Sequence, residues 1–456
     1  MSGRFDELRR EYPQFVYSGY SVSEHEDGLH LSFDFSIPGL CEFHPQTRLD
    51  GKSLDIFNSP VSDYAKRMVF FIGLAEAVSY WKCACPPVFR VECGEMSEDD
   101  KAFFKKLWFN GLGEFFYRNG IKTDIDSFVR IDAPEPKNIP QCEDYVSSGI
   151  EIVPVGGGKD SAVTTELLRP FGDKLRFFTV NDQPARTQCV LAGGYSEDKI
   201  IKIYRTIDPE LLKRNAEGFL NGHTPFSSVV AFISMYAGFI EGANDVILSN
   251  ESSANESNIG GESVNHQYSK SFEFERDFDE FRRRNFPQSA VYFSLLRPFC
   301  ELQIAKQFSQ YKQYHAIFRS CNRGSKKNVW CCECPKCLFV AIMLSPFLPP
   351  DELNSIFGCD MLAKTELETD GLCGFTGLKP FECVGTADEV VLALTLTAEK
   401  YKKSGLEMPA LLRRFCEKNT ARADYSLLSG FNEENLIPKK FDECVKRMFE
   451  YVSAAD

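Results

Sequence analysis

The sequence lacks the long apolar runs of a membrane protein and the leader of a secreted one. Its longest uncharged apolar stretch, from Val229 to Ile240, is much shorter than the roughly 20 residues that cross a bilayer, and it predicts a buried helix instead. The N-terminal segment MSGRFDELRREYPQF is charged where a signal peptide is apolar. We therefore expect a cytoplasmic protein with no membrane partner.

An excess of positive charge is also missing. The chain of 456 residues has 52 basic and 65 acidic side chains, which gives a net charge of −13. Because binding to a nucleic-acid backbone needs a basic face, this charge disfavours a general nucleic-acid partner. A hydrophobic content of 43% and a charged content of 26% are typical of a folded globular protein, and the length leaves room for roughly two or three domains. Nothing in the sequence predicts an oligomeric state.

Cysteine, by contrast, is abundant. The 17 cysteines are an odd number in a chain without secretory features, which favours reduced thiols over disulfides. Within SCNRGSKKNVWCCECPKC, the spacing C-x9-C-x2-C-x2-C predicts a structural zinc site and leaves Cys332 as a spectator. The predicted ligands are Cys321, Cys331, Cys334 and Cys337. An iron–sulfur cluster fits the same four ligands, and a redox role for Cys334 and Cys337 is a further alternative.

Periodicity divides the chain into three regions. Strict alternation from Leu29 to Ile37 predicts a half-buried strand, and Ser97 with Asp100 predicts the start of a helix, so residues 1–145 read as an α+β N-terminal domain. The proline-containing, aperiodic residues 131–149 indicate a linker. Residues 338–456 have a helical pattern.

Between these regions, residues 146–337 predict a parallel α/β core. Short apolar runs alternate there with helical stretches, as expected for βαβ units. The runs lie at 151–155, 176–180, 200–204 and 245–249. Ligands bind at the carboxyl ends of such strands, where Gly156, Asn181 and Asn250 follow the runs.

A glycine-rich loop, VPVGGGKDSAV, lies between the first of these runs and a helical stretch. Gly156, Gly157 and Gly158 allow close approach of the backbone to an anion, and Lys159 adds positive charge, so phosphate is the expected ligand. A Walker A loop is excluded, because Asp160 follows the lysine where Ser or Thr should bind magnesium. A dinucleotide fingerprint remains an alternative, although Ser161 occupies its third glycine position.

The loop resembles the pyrophosphatase loop Ser-Gly-Gly-x-Asp-Ser of the N-type ATP pyrophosphatases, with Val155 in place of the first serine. This resemblance implies a PP-loop, adenine nucleotide alpha hydrolase-like core that splits ATP into AMP and pyrophosphate. It further implies that Gly156–Ser161 bind the phosphates, that Asp160 helps to place Mg²⁺, and that Val180 and Asn181 border the adenine.

Longer motifs resemble the MurL family of ATP-dependent UDP-N-acetylmuramoyl-L-alanyl-L-glutamate epimerases. They are VPVGGGKDS, LNGHTP, SNESSA, VNHQYSKSFEFE, SLLRPFCEL, RSCNRG, WCCECPKC and KPFECVG. The resemblance implies inversion of the terminal L-Glu of a UDP-linked muramoyl dipeptide to D-Glu, for peptidoglycan precursor synthesis, with ATP, Mg²⁺ and Zn²⁺ as cofactors.

Within those motifs we expect His266 and Lys270 to transfer protons. Lys159 and Asp160 in the loop are the other expected catalytic residues, and they act on the phosphates and Mg²⁺. The expected substrate-binding residues are His223, Asn250, Glu251, Asn265, Tyr268 and Arg297. Two alternatives stay open at this point. One is a PP-loop ligase or thiolase that acts on a nucleobase, tRNA or another acceptor, and the other is a zinc-stabilised module that only senses ATP.

Overall fold

The computed structural model describes residues 2–142, 147–255, 268–367, 369–375, 380, 382, 384–419 and 423–454. The chain forms two compact units, each built from three stretches. Unit 1 comprises Met1–Ile152, Ile201–Val246 and Val264–Tyr292, and unit 2 comprises Val153–Ile200, Ile247–Ser263 and Phe293–Asp456. Both units contain strands and helices, which confirms the α/β class. The division into 1–145, 146–337 and 338–456 stays a prediction.

In the described residues the strands are β1 (Gln14–His25), β2 (Gly28–Ile37), β3 (Cys41–Phe43), β4 (Gln46–Asp50), β5 (Val88–Val91), β6 (Arg130–Asp132), β7 (Ile150–Pro154), β8 (Leu175–Val180), β9 (Ile200–Arg205), β10 (Ala243–Leu248) and β11 (Val291–Ser294).

The α-helices of the described residues are α1 (Ser2–Glu11), α2 (Ser62–Trp81), α3 (Glu98–Gly111), α4 (Gly113–Arg118), α5 (Lys159–Leu167), α6 (Pro184–Ala192), α7 (Pro209–Ala216), α8 (Phe226–Glu241), α9 (Phe272–Asn285), α10 (Glu301–Phe308), α11 (Pro335–Leu344), α12 (Pro350–Phe357), α13 (Thr369–Leu372), α14 (Ala387–Ser404), α15 (Ala410–Lys418) and α16 (Asp442–Ser453). None of these described helices is long and apolar enough to cross a membrane.

Unit 1 contains the strand order β9-β4-β2-β1-β5-β6, with β3 beside β2. Burial alternates along β2, which confirms the half-buried strand predicted there. The Ser97 hydroxyl accepts the Asp100 N–H at 3.2 Å, and the Asp100 carboxylate accepts the Ser97 N–H at 3.1 Å, so the predicted helix start at α3 is confirmed. The run 200–204 forms β9 as expected, but β9 pairs antiparallel with β4.

Three strands, β7, β10 and β11, begin in unit 1 and end in unit 2. With β8 they lie in the order β11-β10-β7-β8, and β7 and β10 are parallel, with Ile152 opposite Val246. The residues that follow β7, β8 and β10 therefore emerge within unit 2. Past residue 338 the regular elements of the described chain are all helical.

Candidate active site and cysteine cluster

The glycine-rich loop joins β7 to α5 and turns at Gly157, just before the helix begins. Gly157 adopts a φ of +80°, which L side chains rarely adopt, and Gly158 is the N-terminal cap of α5. The carbonyl of Gly157 accepts the backbone N–H of Arg319 at 2.7 Å, and this bond holds the loop in place. The first N–H groups of α5 have no partner within the helix, so they are available to an anion.

Gly156 and Gly157 differ in the space around them, so alanine variants at these two positions test how the loop backbone affects stability. A Cβ built at Gly157 would meet the backbone and side chain of Ala185 at 3.2 Å, whereas none of the described atoms lies within 4 Å of one built at Gly156. We expect Gly157→Ala to lower the free energy of unfolding by about 1–2 kcal/mol, because of the left-handed backbone. Gly156→Ala should leave it unchanged. Chemical denaturation of both variants measures the difference, and equal effects would contradict it.

Three carboxylates meet at the start of α5. Oxygen atoms of Asp160, Glu251 and Glu301 all lie within 4.8 Å of one another. They come from the first turn of α5, the segment after β10 and the first residue of α10. We call them the carboxylate trio. Hard oxygen ligands at this spacing fit a divalent cation such as Mg²⁺. Glu251 and Glu301 are buried, so their charges need compensation.

Lys159 supplies part of that compensation. Its ammonium group forms ion pairs with Asp160 and Glu301, and the side chains of Lys159 and Glu301 are each only 2% exposed. Burial alone would lower the pKa of Lys159, but the two carboxylates outweigh it and hold this pKa above its ordinary value. For Glu301 the effect of burial is the opposite: burial raises the pKa of this carboxyl, while Lys159 opposes the shift. The buried Lys336 also opposes the shift of Glu301, but two lysines do not neutralise three carboxylates, so the trio can accept a further cation.

Arg297 orders the segment that includes Glu251. Its guanidinium is fully buried and donates to the Glu251 carbonyl at 2.6 Å. The Asn250 amide donates to the Ser294 hydroxyl at 3.1 Å. The structure thus brings Asn250, Glu251 and Arg297 together within unit 2. Their expected contacts with substrate stay predictions.

Val180 is the last residue of β8 and Asn181 follows it, also in unit 2. Asn181 has a φ of +53°, which turns the chain sharply after the strand. The Arg186 guanidinium donates to both carbonyls, at 2.6 Å in the case of Asn181. The position of these two residues after a strand agrees with the sequence, and their contact with adenine stays a prediction.

His223, Tyr268 and Lys270 belong to unit 1. His223 Nδ1 lies 3.8 Å from a carboxylate oxygen of Glu114. Tyr268 is buried, and burial raises its pKa to about 12, so its phenol stays protonated near neutral pH. Lys270 is half-buried. His266 and Asn265, the remaining candidates, lie outside the described residues.

The four predicted cysteine ligands come together in unit 2. Their Sγ atoms all lie within 4.8 Å of one another, with Cys334 and Cys337 at 3.5 Å and Cys331 and Cys337 at 3.8 Å. The contact with Cys337 Sγ lowers the pKa of Cys334 to about 5, which favours the thiolate that a metal needs. Together with Cys321 they form the cysteine cluster, and the prediction that these four residues converge is confirmed.

The cysteine cluster and its surroundings could hold a metal ion. Backbone N–H groups of Gly324 and Glu333 donate to Cys321 Sγ at 3.1 Å and to Cys331 Sγ at 3.5 Å. Such N–H···S bonds orient thiolate ligands. Cys332 is excluded, because its thiol donates instead to the Phe357 carbonyl at 3.4 Å. The donor set fits a tetrahedral zinc ion.

Sequence reasoning did not identify Glu301 as a site residue, although SLLRPFCEL contains it. A glutamate at the first position of a helix is expected from interaction with the helix dipole alone, so its place in the motif does not indicate a role in the site. Only the packing of α10 beside α5 shows that Glu301 reaches Lys159.

Comparisons with known proteins agree with these motifs. The chain matches the model of the MurL N-terminal domain over residues 6–295 and that of the MurL C-terminal domain over residues 317–426. A protein of Xanthomonas oryzae pv. oryzae named UDP-N-acetyl-alpha-D-muramoyl-L-alanyl-L-glutamate epimerase is 35% identical over 393 residues, 83% of this chain and 85% of the relative. Proteins of the same name from Micromonospora sp. and Salinispora tropica are 35% and 34% identical, and each alignment covers 87% of this chain and 89% and 87% of the relatives. The chain therefore belongs to the MurL family.

Proposed function

We propose that this protein is an epimerase that inverts the terminal L-Glu of UDP-MurNAc-L-Ala-L-Glu by way of a glutamyl adenylate, with release of AMP and pyrophosphate. The activity is the one in the names of the relatives. The observation that supports the adenylate is the carboxylate trio with Lys159 at the end of the glycine-rich loop. That combination suits a PP-loop core that binds ATP with Mg²⁺.

The need for ATP follows from the acidity of the reacting carbon. Removal of an α-proton next to a free carboxylate would give a dianion, which is a very poor intermediate. An acyl adenylate is ester-like, so the same proton becomes acidic enough for a side chain to remove. Reprotonation from the opposite face, followed by hydrolysis of the acyl adenylate, gives the UDP-linked dipeptide ending in D-Glu, and AMP.

Each element of the loop has a role in forming the adenylate. The N–H groups of residues 156–161 bind the pyrophosphate part of ATP, and Lys159 stabilises the charge that develops on it. Asp160, Glu251 and Glu301 would hold Mg²⁺, which neutralises phosphate oxygens when it is bound. Val180 and Asn181 border the adenine.

Proton transfer needs two groups, one on each face of the α-carbon. We assign His266 and Lys270 to these roles, with Tyr268, His223 and Glu251 as the other candidates. The raised pKa of Tyr268 suits a proton donor better than a base at neutral pH. Asn250, Asn265 and Arg297 complete the proposed substrate contacts.

Product analysis tests the proposal directly. Purified protein with ATP, Mg²⁺ and UDP-MurNAc-L-Ala-L-Glu should yield a product whose hydrolysis releases D-Glu, detected by chiral chromatography. AMP and pyrophosphate should form, and in D₂O the α-carbon should gain deuterium. UDP-MurNAc-L-Ala, which lacks the terminal glutamate, is the control, and it should give neither AMP nor pyrophosphate. AMP formation with a nucleobase or tRNA acceptor instead would favour a ligase, and ADP with inorganic phosphate would contradict the loop assignment.

For the cysteine cluster we propose one structural zinc ion. Cys334 caps α11, Cys337 lies in its first turn, and backbone N–H groups donate to Cys321 and Cys331, which suits a closed site. Metal analysis and the visible spectrum separate zinc from an iron–sulfur cluster, because only the latter is coloured.

A further inference from the structure

Glu389, near the start of α14, is an acidic residue to which the reaction outlined above gives no role. It is the third residue of that helix and only 1% exposed. One of its carboxylate oxygens, Oε2, accepts the Thr386 N–H at 2.6 Å, while the Thr386 hydroxyl accepts the Glu389 N–H at 3.2 Å. These two bonds form a capping box, which uses one of the two carboxylate oxygens of Glu389.

The other oxygen of Glu389 contacts both segments that supply the buried members of the carboxylate trio. Oε1 accepts the backbone N–H of Glu301 at 2.6 Å. It also accepts the hydroxyl of Ser253 at 3.0 Å, two residues after Glu251. A capping box needs neither bond, and a solvent-exposed glutamate would satisfy it equally well.

Gly385 shows how closely this arrangement is packed. A Cβ built there would lie 2.6 Å from Glu389 Oε2 and 3.2 Å from the Cβ of Glu301. Any side chain at this position would therefore press on Glu389 and Glu301 together. The segment before α14 is therefore packed closely against both glutamates.

We propose that Glu389 is a positioning residue that holds Glu251 and Glu301 at the spacing required by the divalent cation of the ATP site. The inference depends on the proposed function, since it assigns that cation to the carboxylate trio. Glu389 does not contact the cation. It fixes the first residue of α10 and the segment after β10 through one shared oxygen atom, so that the two carboxylates converge on Asp160.

The charge of Glu389 supports this role. A fourth buried carboxylate next to the trio is unfavourable in an apolar interior unless cations offset it. Lys159 and the buried Lys336 offset two of the four negative charges, and a divalent cation would offset the other two. Residues that orient metal ligands through hydrogen bonds typically change metal affinity about 10- to 100-fold when they are replaced.

The test uses Glu389→Gln in the full chain, with Mn²⁺ as the probe. The affinity for Mn²⁺ in the presence of α,β-methylene-ATP, measured by electron paramagnetic resonance, should fall about 10- to 100-fold. The Mg²⁺ concentration for half-maximal pyrophosphate release should rise by the same factor, and excess Mg²⁺ should restore the rate. Thr386→Ala is the matched control, because it weakens the same helix start but keeps both bonds of Oε1. Its Mn²⁺ affinity should match that of the unmodified protein.

Equal Mn²⁺ affinity in Glu389→Gln and the unmodified protein would overturn the inference, as would an equal loss in Thr386→Ala. If Glu389→Gln does not fold, Ser253→Ala decides, since it removes one bond of Oε1 and leaves the capping box intact. It should weaken Mn²⁺ binding severalfold, and unchanged binding would again overturn the inference. Failure of the unmodified protein to release pyrophosphate would instead contradict the proposed function.

Discussion

Asp160→Asn is expected to abolish ATP cleavage while the protein stays folded. The side chain of Asp160 is about a third exposed, so it adds little to core packing. It belongs to the carboxylate trio and pairs with Lys159 at the beginning of α5. Charge stabilisation by a bound metal ion is worth several kcal/mol, so loss of a ligand should slow pyrophosphate release on the order of a thousandfold.

The amide is a better test than alanine, because it keeps the volume of the side chain and removes only the charge. Lys159 would keep Glu301 as its counterion, so its burial should remain tolerable. Asp173→Asn is the matched control, since the Asp173 side chain is fully exposed in the same unit. Pyrophosphate release and thermal unfolding are measured for both variants. Cleavage by Asp160→Asn at the rate of the unmodified protein would exclude Asp160 from the site.

The sequence was most informative where the chemistry is local. The loop from Gly156 to Ser161 could be recognised because its glycines, lysine and aspartate are adjacent and lie between a strand and a helix. The cysteine cluster could be recognised because all four ligands lie within 17 residues. In both cases the spacing along the chain fixes the spacing in space.

Long-range packing was beyond the reach of the sequence. Glu301 lies 142 residues after Lys159, and Glu389 lies 229 residues after Asp160. Each glutamate occurs at the start of a helix, where glutamate is common. The same reason explains β9: its apolar run predicts a strand but not the antiparallel pairing with β4, some 150 residues earlier. A local pattern determines the type of an element, while tertiary contacts determine its neighbour.

A metal at the cysteine cluster would affect more than local stability, because the chain around the cluster also contacts the glycine-rich loop. Arg319, two residues before Cys321, donates its N–H to the Gly157 carbonyl. Ser320 lies against Gly158, at 2.7 Å from a Cβ built there. A metal that fixes Cys321 therefore also fixes one wall of the loop.

Cys334→Ser should accordingly lose the metal, much of the stability of unit 2 and ATP cleavage together. Cys334 is fully buried at the start of α11, and a serine hydroxyl is a poor zinc ligand. Free energy of metal binding is free energy of folding for such a site, so we expect a loss of several kcal/mol, on the order of 3–5. Metal content by mass spectrometry, thermal unfolding and pyrophosphate release measure the three effects.

Cys332→Ser separates metal binding from the general effect of a polar substitution in this segment. Cys332 is also buried and adjacent to the ligand Cys331, but its thiol bonds to the Phe357 carbonyl and a serine hydroxyl can keep that bond. We expect this variant to retain its metal, since the four ligands are unchanged, and to cleave ATP at an unchanged rate. A stable, active Cys334→Ser protein without metal would contradict the zinc assignment. Metal loss in Cys332→Ser would show instead that the fifth cysteine is a ligand.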